Sequence, residues 1–460
     1  MPYILKKYYP VRNLLFVIGE GTLIFLAIKL VYFFYYGTHS FHSLLLITTV
    51  KASLVTLVFQ LSLYFFDLYD LSQIRSLVDT AMRMLQAFGV GIMMLAGVYF
   101  IFPKIGISTH VFLASYIAFF LAILCWRTLY YVILKNKLFS VPLLIIGTGK
   151  MSDEITQKIE EDHNSGYKIA AFISNTPSVD SLHDTPVIPL SSSLDDACSR
   201  YGVDQIIVAL DDRRGTMPIA DLLKCKLHGI SIQDGISFYE SITGKILVKN
   251  VNPAWLIFSD GFQASRLTYY LKRILDIFLS IFGLLISLPV TLPTAFLIKR
   301  ESPGPIFYLQ ERVGEKGVSF DVIKFRSMRE DAEKDGAVWA MKNDTRVTKI
   351  GSFIRKVRID EIPQMWNVLK GEMSFVGPRP ERPVFVKQLT ESIPYYSLRH
   401  SVKPGISGWA QVCYPYGASE EDALKKLEYD LYYIKNQSIF MDMLVIFRTI
   451  KTVLFQKGSR

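Results

Sequence analysis

The chain has 460 residues, half of them apolar, with a formal net charge of +10 and a mean hydropathy of +0.28. This length predicts about three units rather than one compact domain, and the positive hydropathy argues against an ordinary soluble protein and for a membrane protein. The charge suits an anionic membrane face and phosphorylated substrates rather than nucleic acid, and four cysteines without CxxC spacing argue against a zinc site or a disulfide framework.

Apolar runs dominate the first 137 residues. Each is near the ~20 residues that cross a bilayer, and they lie at about 14–36, 43–66, 85–102 and 111–134. Lys6, Lys7 and Arg12 precede the first run, and Arg75 and Arg83 precede the third. By the positive-inside rule these flanks are cytoplasmic, which predicts four transmembrane helices in residues 1–137. No small-residue cleavage site follows the first run, so we expect no cleaved signal peptide.

Ionisable residues occur inside two of these runs, at Glu20, Lys29 and Lys51. Such residues can mark a transport path, but so few of them across four runs are better explained by packing or snorkelling.

From about 138 to 262 the pattern changes to soluble α/β. A buried-strand run, 141–146, leads into the turn Gly147-Thr-Gly149, and further strands are predicted at 169–173 and 205–210. This predicts a small Rossmann-like domain. The glycine pair suits a dinucleotide, but Ser152 replaces the third glycine of the fingerprint and no ribose-binding acid follows at the expected distance. A structural or regulatory domain fits better, and a lost nucleotide site stays open.

The segment 272–300 is apolar and long enough to cross the membrane, but both of its flanks are basic. Pro289 and Pro293 interrupt it near the middle. A crossing segment would place everything after residue 300 on the outer side. We therefore predict a helix-break-helix hairpin that enters and leaves at the cytoplasmic face, with an ordinary fifth span as the alternative.

Charged and apolar residues alternate at 320–328. Lys324 and Arg326 alternate with Ile323 and Phe325, so both should leave one face of an extended segment. They are either surface charges on an edge strand or half of an anion site. The other half of such a site would be Arg379, which stands between two prolines.

Two adjacent carboxylates, Asp360 and Glu361, stand in a basic segment. Apolar residues at helical spacing predict an amphipathic helix from about 360 to 370, ended by Gly371 and with Pro363 in its first turn. The positive end of this helix would keep Asp360 ionised and attract anions, which suits a nucleophile that attacks phosphorus. On the local pattern alone, an ordinary N-cap aspartate fits better.

Two later segments complete a C-terminal domain predicted to span 263–460. In the turn-rich segment 402–412, Lys403 could contact a phosphate and Trp409 a base or sugar. An amphipathic helix is predicted at 424–433. The apolar run 439–454 is interrupted by charges, which predicts helices on the membrane surface rather than a span.

Four motifs of the C-terminal part together resemble one enzyme family. They are Lys324-Phe-Arg-Ser-Met328, Asp360-Glu-Ile-Pro-Gln-Met-Trp-Asn-Val-Leu-Lys-Gly371, Gly377-Pro-Arg-Pro380 and Lys403-Pro-Gly-Ile-Ser-Gly-Trp-Ala-Gln411. In this order they look like the signatures of bacterial polyprenyl-phosphate sugar-1-phosphate transferases, the bacterial sugar transferase family. The predicted spans and Rossmann-like domain resemble its large, multi-span branch, which initiates exopolysaccharide or O-antigen synthesis.

The resemblance implies transfer of a sugar 1-phosphate from a UDP-sugar to undecaprenyl phosphate, with release of UMP and with Mg²⁺ as cofactor. It implies that Asp360 is the nucleophile of a phosphosugar-enzyme intermediate and contacts the metal, while Glu361 orients the site or accepts a proton. The family residues that contact phosphate or substrate are matched by Lys324, Arg355, Arg379 and Asp430. At Lys403 relatives often have arginine, so the charge is kept but the bidentate fork is lost.

The resemblance also implies a multi-pass protein of the bacterial inner membrane, with its N-terminus and catalytic domain cytoplasmic. Its expected partners are the UDP-sugar, undecaprenyl phosphate, membrane lipid and downstream glycosyltransferases, with a homodimer as a further option and no nucleic acid. The sequence does not indicate which sugar is transferred.

Two other functions stay as alternatives. A membrane-bound nucleotide-sugar dehydratase or epimerase would need a full glycine-rich loop and a soluble Tyr-x-x-x-Lys pair. The obvious pair, Tyr131 and Lys135, lies at the end of a predicted membrane helix. A non-catalytic scaffold for polysaccharide export would have no reason to keep Asp360 and Glu361 among basic residues.

Overall fold

The computed structural model describes sixteen stretches of the chain. These are residues 3–4, 7–8, 11–43, 45–69, 77–135, 140–162, 165–174, 181–190, 193–210, 217–250, 253–259, 261–262, 265–329, 346–415, 417 and 419–454. The chain forms two compact units, residues 1–238 and residues 239–460.

The first unit begins with long apolar helices. After the short antiparallel strands β1 (Tyr3–Ile4) and β2 (Lys7–Tyr8) come α1 (Val11–Ser43), α2 (Leu45–Phe65), α3 (Leu77–Ile101) and α4 (Thr109–Lys135). Helix α1 leaves helical geometry at Gly37, whose φ is 70°. Helix α3 begins before the predicted start at residue 85, because Asp79 and Arg83 form an i,i+4 ion pair in its first turns. All four helices coincide with the predicted runs.

Charged side chains inside these helices have partners. Arg127 of α4 places its Nε atom 2.6 Å from Glu20 Oε1 of α1, and both side chains are buried. The Lys29 Nζ donates to the Thr48 and Thr49 hydroxyls at 3.0 Å, and the Lys51 Nζ donates to the Gly106 carbonyl at 2.6 Å. These contacts join helices to one another, which supports the packing explanation.

A parallel sheet follows in the same unit. Its strands and helices are β3 (Val141–Ile146), α5 (Lys150–Glu161), β4 (Tyr167–Ser174), β5 (Ser181–Leu182), β6 (Thr185–Pro189), α6 (Leu194–Tyr201), β7 (Gln205–Val208), α7 (Ile219–Leu227), β8 (Ser231–Asp234) and α8 (Gly235–Thr243). The six strands have the order β5-β6-β4-β3-β7-β8. All neighbours pair in parallel except β5 with β6. The predicted α/β sheet is therefore confirmed.

The second unit is built on one long helix and two small sheets. It contains α9 (Pro253–Phe258), α10 (Arg266–Glu301), β9 (Phe307–Val313), β10 (Ser319–Phe325), α11 (Lys349–Lys356), α12 (Gln364–Lys370), β11 (Ser374–Val376), α13 (Pro383–Ser392), β12 (Gly405–Ser407), α14 (Trp409–Cys413), α15 (Glu420–Lys435) and α16 (Ile439–Leu454). Strands β9 and β10 form an antiparallel hairpin, and β11 pairs with β12 in parallel.

Helix α10 contains the segment predicted to be a broken hairpin. It runs without interruption for 36 residues, with Pro289 and Pro293 inside it, so the predicted break is wrong. The hydroxyls of Ser287 and Thr294 donate to the carbonyls of Leu284 and Val290 at 3.0 and 2.7 Å. These hydroxyls bond to carbonyls of the preceding turn, and the helix continues through both prolines, each of which removes only one backbone N–H.

Five helices of the described residues are long and apolar enough to cross a membrane, namely α1 to α4 and α10. The four-span topology stays a prediction. Helix α16 is not among the five, which agrees with the prediction of a surface helix at 439–454. Its Asp442 is buried against Lys272 of α10 at 2.8 Å, while Phe440 and Phe447 are exposed.

The start of α10 is fastened to strand β11 by polar side chains. The Lys272 Nζ donates to the Val376 carbonyl at 3.0 Å. One carboxylate oxygen of Asp276 accepts from the Ser374 hydroxyl at 3.0 Å and from the Phe375 N–H at 2.9 Å. Since Arg379 follows β11 by three residues, these bonds fix its position relative to the start of α10.

The segment just after residue 238 packs on α15. The Lys245 Nζ lies 3.2 Å from Glu428 Oε2, and the Lys435 Nζ lies 2.6 Å from Glu240 Oε2. These pairs tie residues 240 and 245 to the unit that begins at residue 239, and the three-domain division with a boundary after residue 262 stays a prediction.

Candidate active site

The two adjacent carboxylates lie in a tight turn between α11 and α12. Residues Ile359–Glu361 form one turn of 3₁₀ helix, entered through Arg358 with a φ of 61°, and α12 begins only at Gln364. The predicted single helix from 360 to 370 is therefore wrong at its start, because Pro363 is the N-cap of α12 instead of a residue of its first turn. The helix dipole cannot be what keeps Asp360 ionised. Gly371 ends α12 in the left-handed conformation, as predicted.

Asp360 is a buried carboxylate with a free oxygen. The residue is 8% exposed, and its Oδ1 atom has no hydrogen-bond partner. Burial and then the neighbouring Glu361 raise the pKa of Asp360 to about 6, although Lys324, Arg355 and Arg358 favour its charged form. A buried oxygen without a partner is rare in proteins, and such atoms are held in place for chemistry more often than for stability.

The carboxylate of Glu361 contacts two arginine side chains. Its Oε1 atom accepts from Arg379 Nη2 at 2.5 Å and lies 3.6 Å from Arg358 Nη1. Burial alone would raise the pKa of Glu361, but Arg379, Lys324 and Arg358 outweigh it and lower the pKa to about 2. Glu361 is therefore ionised at any physiological pH, which suits the orienting role of its two predicted roles better than proton transfer.

Two further cations come from the neighbouring elements. Lys324 lies near the end of β10, and burial and then the nearby Arg379 lower its pKa to about 8. Arg355 lies in the last turn of α11, and its Nε donates to the Ser327 hydroxyl at 2.9 Å. Both residues act on the charge of Asp360. The structure therefore brings Lys324, Arg355 and Arg379 together around the two carboxylates.

The loop that carries Arg379 is held on both sides. Arg399 Nη2 donates to the Arg379 carbonyl at 2.8 Å, and Arg312 Nη1 donates to the Pro380 carbonyl at 3.0 Å. At Gly377 a Cβ atom would lie 2.4 Å from the Lys403 carbonyl oxygen, so only glycine allows this approach of the two backbones. The loop is therefore rigid where it presents the guanidinium to Glu361.

Asp430 acts one step away from the carboxylate pair. It is 2% exposed, and its Oδ2 accepts from Arg399 Nη2 at 3.0 Å. Burial raises the pKa of Asp430 to about 6, while Arg399 favours its charged form. Asp430 therefore contacts the arginine that holds the Arg379 loop, and its predicted contact with substrate or phosphate stays a prediction.

Two predicted anion-binding residues lie elsewhere. The Arg326 guanidinium donates to the carbonyls of Pro303 and Ser302 at 2.5 and 2.8 Å and does not join the carboxylate pair. The reason is that β10 ends at Phe325, so the strand alternation with Lys324 no longer applies. The Lys403 Nζ lies beside Gly371, at the end of α12 that is remote from Asp360.

Trp409 is a core residue. It is buried, its Nε1 donates to the Gly244 carbonyl at 2.8 Å, and its ring stacks on Tyr432 with centroids 6.1 Å apart. The predicted contact with a base or sugar is therefore wrong, since no face of the indole is free for one.

Sequence analysis did not identify three residues of this region. Arg399 and Arg312 hold the Arg379 loop, and Gln364 is buried with an amide nitrogen that has no partner. Arginines remote in sequence carry no local signal. Gln364 lies inside a recognised motif, four residues after Asp360, and that position is the only available hint.

The carboxylate pair fits a magnesium ion only in part. Mg²⁺ in phosphoryl-transfer sites is held by one or two carboxylates, water and the substrate phosphates. The free Oδ1 of Asp360 suits this, whereas Glu361 is already bound to Arg379. Among the described residues no cluster of three or more acidic, histidine or cysteine side chains could hold a metal by itself. Of the two carboxylates, only Asp360 therefore has an oxygen left for a metal ion.

Family models match two parts of the chain. Residues 267–456 match the model described as bacterial sugar transferase. Residues 64–224 match a model described as CoA-binding domain.

Several known proteins are similar to part of this chain. The UDP-N-acetylgalactosamine-undecaprenyl-phosphate N-acetylgalactosaminephosphotransferase of Aeromonas hydrophila is 44% identical over 239 residues, covering 52% of this chain and 56% of that protein. The UDP-glucose:undecaprenyl-phosphate glucose-1-phosphate transferase of Klebsiella pneumoniae is 44% identical over 190 residues, 41% of each chain. The exopolysaccharide production protein PSS of Rhizobium leguminosarum bv. phaseoli is 41% identical over 191 residues, covering 40% of this chain and 95% of that protein. The match thus spans about half of the Aeromonas protein, less of the Klebsiella protein and nearly all of the Rhizobium protein.

Proposed function

Because this chain belongs to the bacterial sugar transferase family, we propose that it moves a sugar 1-phosphate from a UDP-sugar to undecaprenyl phosphate and releases UMP. Two of the similar proteins are named as undecaprenyl-phosphate sugar phosphotransferases, which supports this acceptor. Their names specify different sugars, so the donor sugar is left open. The name of the Rhizobium protein supports a role in exopolysaccharide production, and we propose that the reaction is its first membrane step.

The observation that carries the proposal is the unequal state of the two carboxylates. Glu361 is neutralised by Arg379 at 2.5 Å, whereas Asp360 is buried with Oδ1 unpartnered. An ionised oxygen without a hydrogen bond is a better nucleophile than one that shares its electrons with a donor. The cations Lys324, Arg355 and Arg379 surround it and suit the negative oxygens of a diphosphate.

In the first step a carboxylate oxygen of Asp360 attacks the phosphorus that bears the sugar. A bond forms between this oxygen and phosphorus, and the bond from phosphorus to the bridging oxygen of the diphosphate breaks. UMP leaves with the bridging oxygen and its electron pair. Lys324, Arg355 and Arg379 neutralise the charge that develops on the phosphoryl oxygens, which lowers the barrier for an in-line displacement.

In the second step a phosphate oxygen of undecaprenyl phosphate attacks the same phosphorus. The bond between phosphorus and Asp360 breaks, which restores the carboxylate and forms the polyprenyl diphosphate sugar. Glu361 stays ionised throughout and keeps Arg379 in place. A Mg²⁺ ion at Asp360 and the substrate phosphates would supply further charge neutralisation.

We further propose that the catalytic unit rests on the cytoplasmic face of the inner membrane. The contacts at the two ends of α10 support this orientation. Near its start the Arg273 Nη1 donates to the Val368 carbonyl at 2.6 Å, and at its end the Glu301 Oε1 accepts from the Lys349 N–H at 2.9 Å. Both ends are thus bound to the same unit, while the middle exposes Phe278, Phe282 and other apolar residues. A helix held at both ends by one unit suits re-entry better than a crossing.

Cysteine labelling tests this orientation. A cysteine at Lys387, exposed on α13, should react only from the cytoplasmic side in a variant whose native cysteines are replaced by serine. Labelling from the periplasmic side would instead establish α10 as an ordinary fifth span.

A UMP-release assay tests the proposed reaction. The purified full-length protein is incubated with a panel of UDP-sugars and Mg²⁺, with and without undecaprenyl phosphate. We expect UMP from one or a few of these donors and a sugar-bearing polyprenyl diphosphate when the acceptor is present. Formation of a dehydrated or epimerised nucleotide sugar without UMP would favour the dehydratase or epimerase alternative. If none of the UDP-sugars is consumed, the result would favour the non-catalytic scaffold.

A further inference from the structure

A second group of cations lies at the C-terminal end of α12. The Arg273 Nη2 and the Lys403 Nζ lie 3.5 and 3.6 Å from the point at which a Cβ on Gly371 would stand. Lys370, the last residue of α12, is exposed beside them. We refer to Arg273, Lys370 and Lys403 as the α12-end cluster.

The end of a helix explains only part of this charge. Arg273 donates to the Val368 and Leu369 carbonyls at 2.6 and 2.7 Å, which satisfies the last turn of α12. The negative end of a helix is worth about half an elementary charge, so it leaves most of three positive charges unbalanced. Within the described part of the chain none of the three forms an ion pair with a carboxylate.

Lys403 is the member without a structural role. Its ammonium group has no hydrogen-bond acceptor among the residues that the structure describes, and its one close contact is the ring of Tyr269, 5.9 Å away. That distance is at the limit of a useful cation–π contact. Arg273 Nη2 and Lys403 Nζ lie near the same point beside Gly371, so one phosphate placed there could bind both cations through its oxygens.

The residues around the cluster are of the kinds found at a membrane interface. Tyr269, Tyr270 and Trp366 are each at least half exposed, and Tyr and Trp concentrate at the level of lipid head groups. The exposed apolar side of α10 starts at the same place, with Leu267, Ile274 and Phe278. Acyl chains could cover this apolar side while a head-group phosphate lies at the cations.

We propose that the α12-end cluster binds the phosphate of an anionic membrane phospholipid. This site is separate from Asp360, whose charge is set by Lys324, Arg355 and Arg358. In this proposal Lys403 binds a lipid of the bilayer and not the sugar donor. The inference does not depend on the proposed transferase reaction.

Native mass spectrometry of the full-length protein tests the site. The protein is transferred from detergent micelles that contain phosphatidylglycerol or phosphatidylcholine, and the number of retained lipids is measured against lipid concentration. We expect the wild type to retain phosphatidylglycerol more tightly than phosphatidylcholine. In Lys403→Gln this retention should weaken about fivefold, as one basic residue near an anionic lipid contributes, while Lys403→Arg should keep it.

Two controls separate this result from folding and from catalysis. Lys316→Gln removes an exposed lysine from the β9–β10 turn and should leave phosphatidylglycerol retention unchanged. Asp360→Asn should retain the lipid as well as the wild type does, even though it should not release UMP.

Three outcomes would overturn the proposal. They are equal retention of both lipids by the wild type, an undiminished preference in Lys403→Gln, and an equal loss in Lys316→Gln. Polyprenyl phosphate and inorganic phosphate are added in separate competition experiments. Displacement of phosphatidylglycerol by an equimolar amount of either one would assign the cluster to the acceptor or to a free anion, and the proposed phospholipid would be wrong.

Discussion

Two aspartates of the C-terminal unit are both buried and both have a raised pKa, but their hydrogen-bond partners differ. Asp360 in the 3₁₀ turn and Asp430 in α15 are 8% and 2% exposed, and burial raises the pKa of each to about 6. Asp430 is bound to Arg399 at 3.0 Å, whereas Oδ1 of Asp360 has no partner. The pKa therefore does not distinguish the two aspartates, but their hydrogen bonding does. The oxygen without a partner is the reason that the proposed nucleophile is Asp360 and not Asp430.

The largest expected effect comes from Asp360→Asn. An amide is not a nucleophile towards phosphorus, so UMP release should fall by at least about 1,000-fold. The substitution also removes a buried negative charge that lacks a hydrogen bond, so thermal unfolding should occur at the same or a higher temperature. Rates from a UMP assay and unfolding midpoints of the same preparations test both expectations.

Two results would contradict the account of Asp360. One is UMP release by Asp360→Asn at a rate near that of the wild type. The other is an inactive variant that also unfolds several degrees earlier, since the residue would then be structural like Asp430.

Arg379→Lys should have the next largest effect. Lysine keeps the charge but not the planar fork that contacts Glu361, and the loss of one such donor typically lowers the rate about 100-fold. The matched control is Arg200→Lys, at an exposed position of α6, which should keep the wild-type rate. If Arg379→Lys also kept that rate, the Glu361–Arg379 pair would have no part in the reaction.

The pH dependence of kcat/KM for UMP release should be bell-shaped. Asp360 must be ionised to attack, and its pKa is about 6, so the rate should fall about tenfold per unit below pH 6. Lys324 must be protonated to neutralise phosphate, and its pKa is about 8, so the rate should also fall above pH 8. Glu361, with a pKa of about 2, stays ionised over this pH range and does not contribute to the pH dependence of the rate. An acid limb near pH 4 would mean that Asp360 titrates as an exposed aspartate does.

Asp430→Asn should have the smallest effect on rate and the largest on stability. Breaking a buried ion pair lowers the free energy of unfolding by about 3 kcal/mol. The rate of UMP release should fall less than about tenfold, because Asp430 acts only through Arg399 on the Arg379 loop. Unfolding in detergent and the UMP assay measure the two effects. A loss of activity as complete as in Asp360→Asn, without loss of stability, would instead place Asp430 at the reaction centre.

Much of this architecture could be predicted from the sequence. The four apolar runs, the parallel sheet and the surface helix at 439–454 follow from hydrophobic periodicity, and the family follows from four motifs. The grouping of Lys324, Arg355 and Arg379 around Asp360 and Glu361 was also predicted, because family motifs mark residues that meet in space even though they lie far apart in sequence.

The errors have specific physical causes. Pro289 and Pro293 predicted a broken helix, but α10 continues through both, because a proline removes one backbone hydrogen bond without necessarily ending a helix. Strand alternation placed Arg326 beside Lys324, but β10 ends between them at Phe325. The sequence also does not show that Lys403 lies at the end of α12 remote from Asp360; its predicted contact with a phosphate stays a prediction.

The covalent intermediate gives the most direct test of the central claim. The wild-type protein is mixed with its UDP-sugar donor in the absence of undecaprenyl phosphate, quenched, digested and analysed by mass spectrometry. We predict one added sugar phosphate on the peptide that contains Asp360, which disappears when undecaprenyl phosphate is supplied and never forms in Asp360→Asn. Rapid UMP release without such an adduct, or an adduct on another residue such as Glu361, would contradict the account.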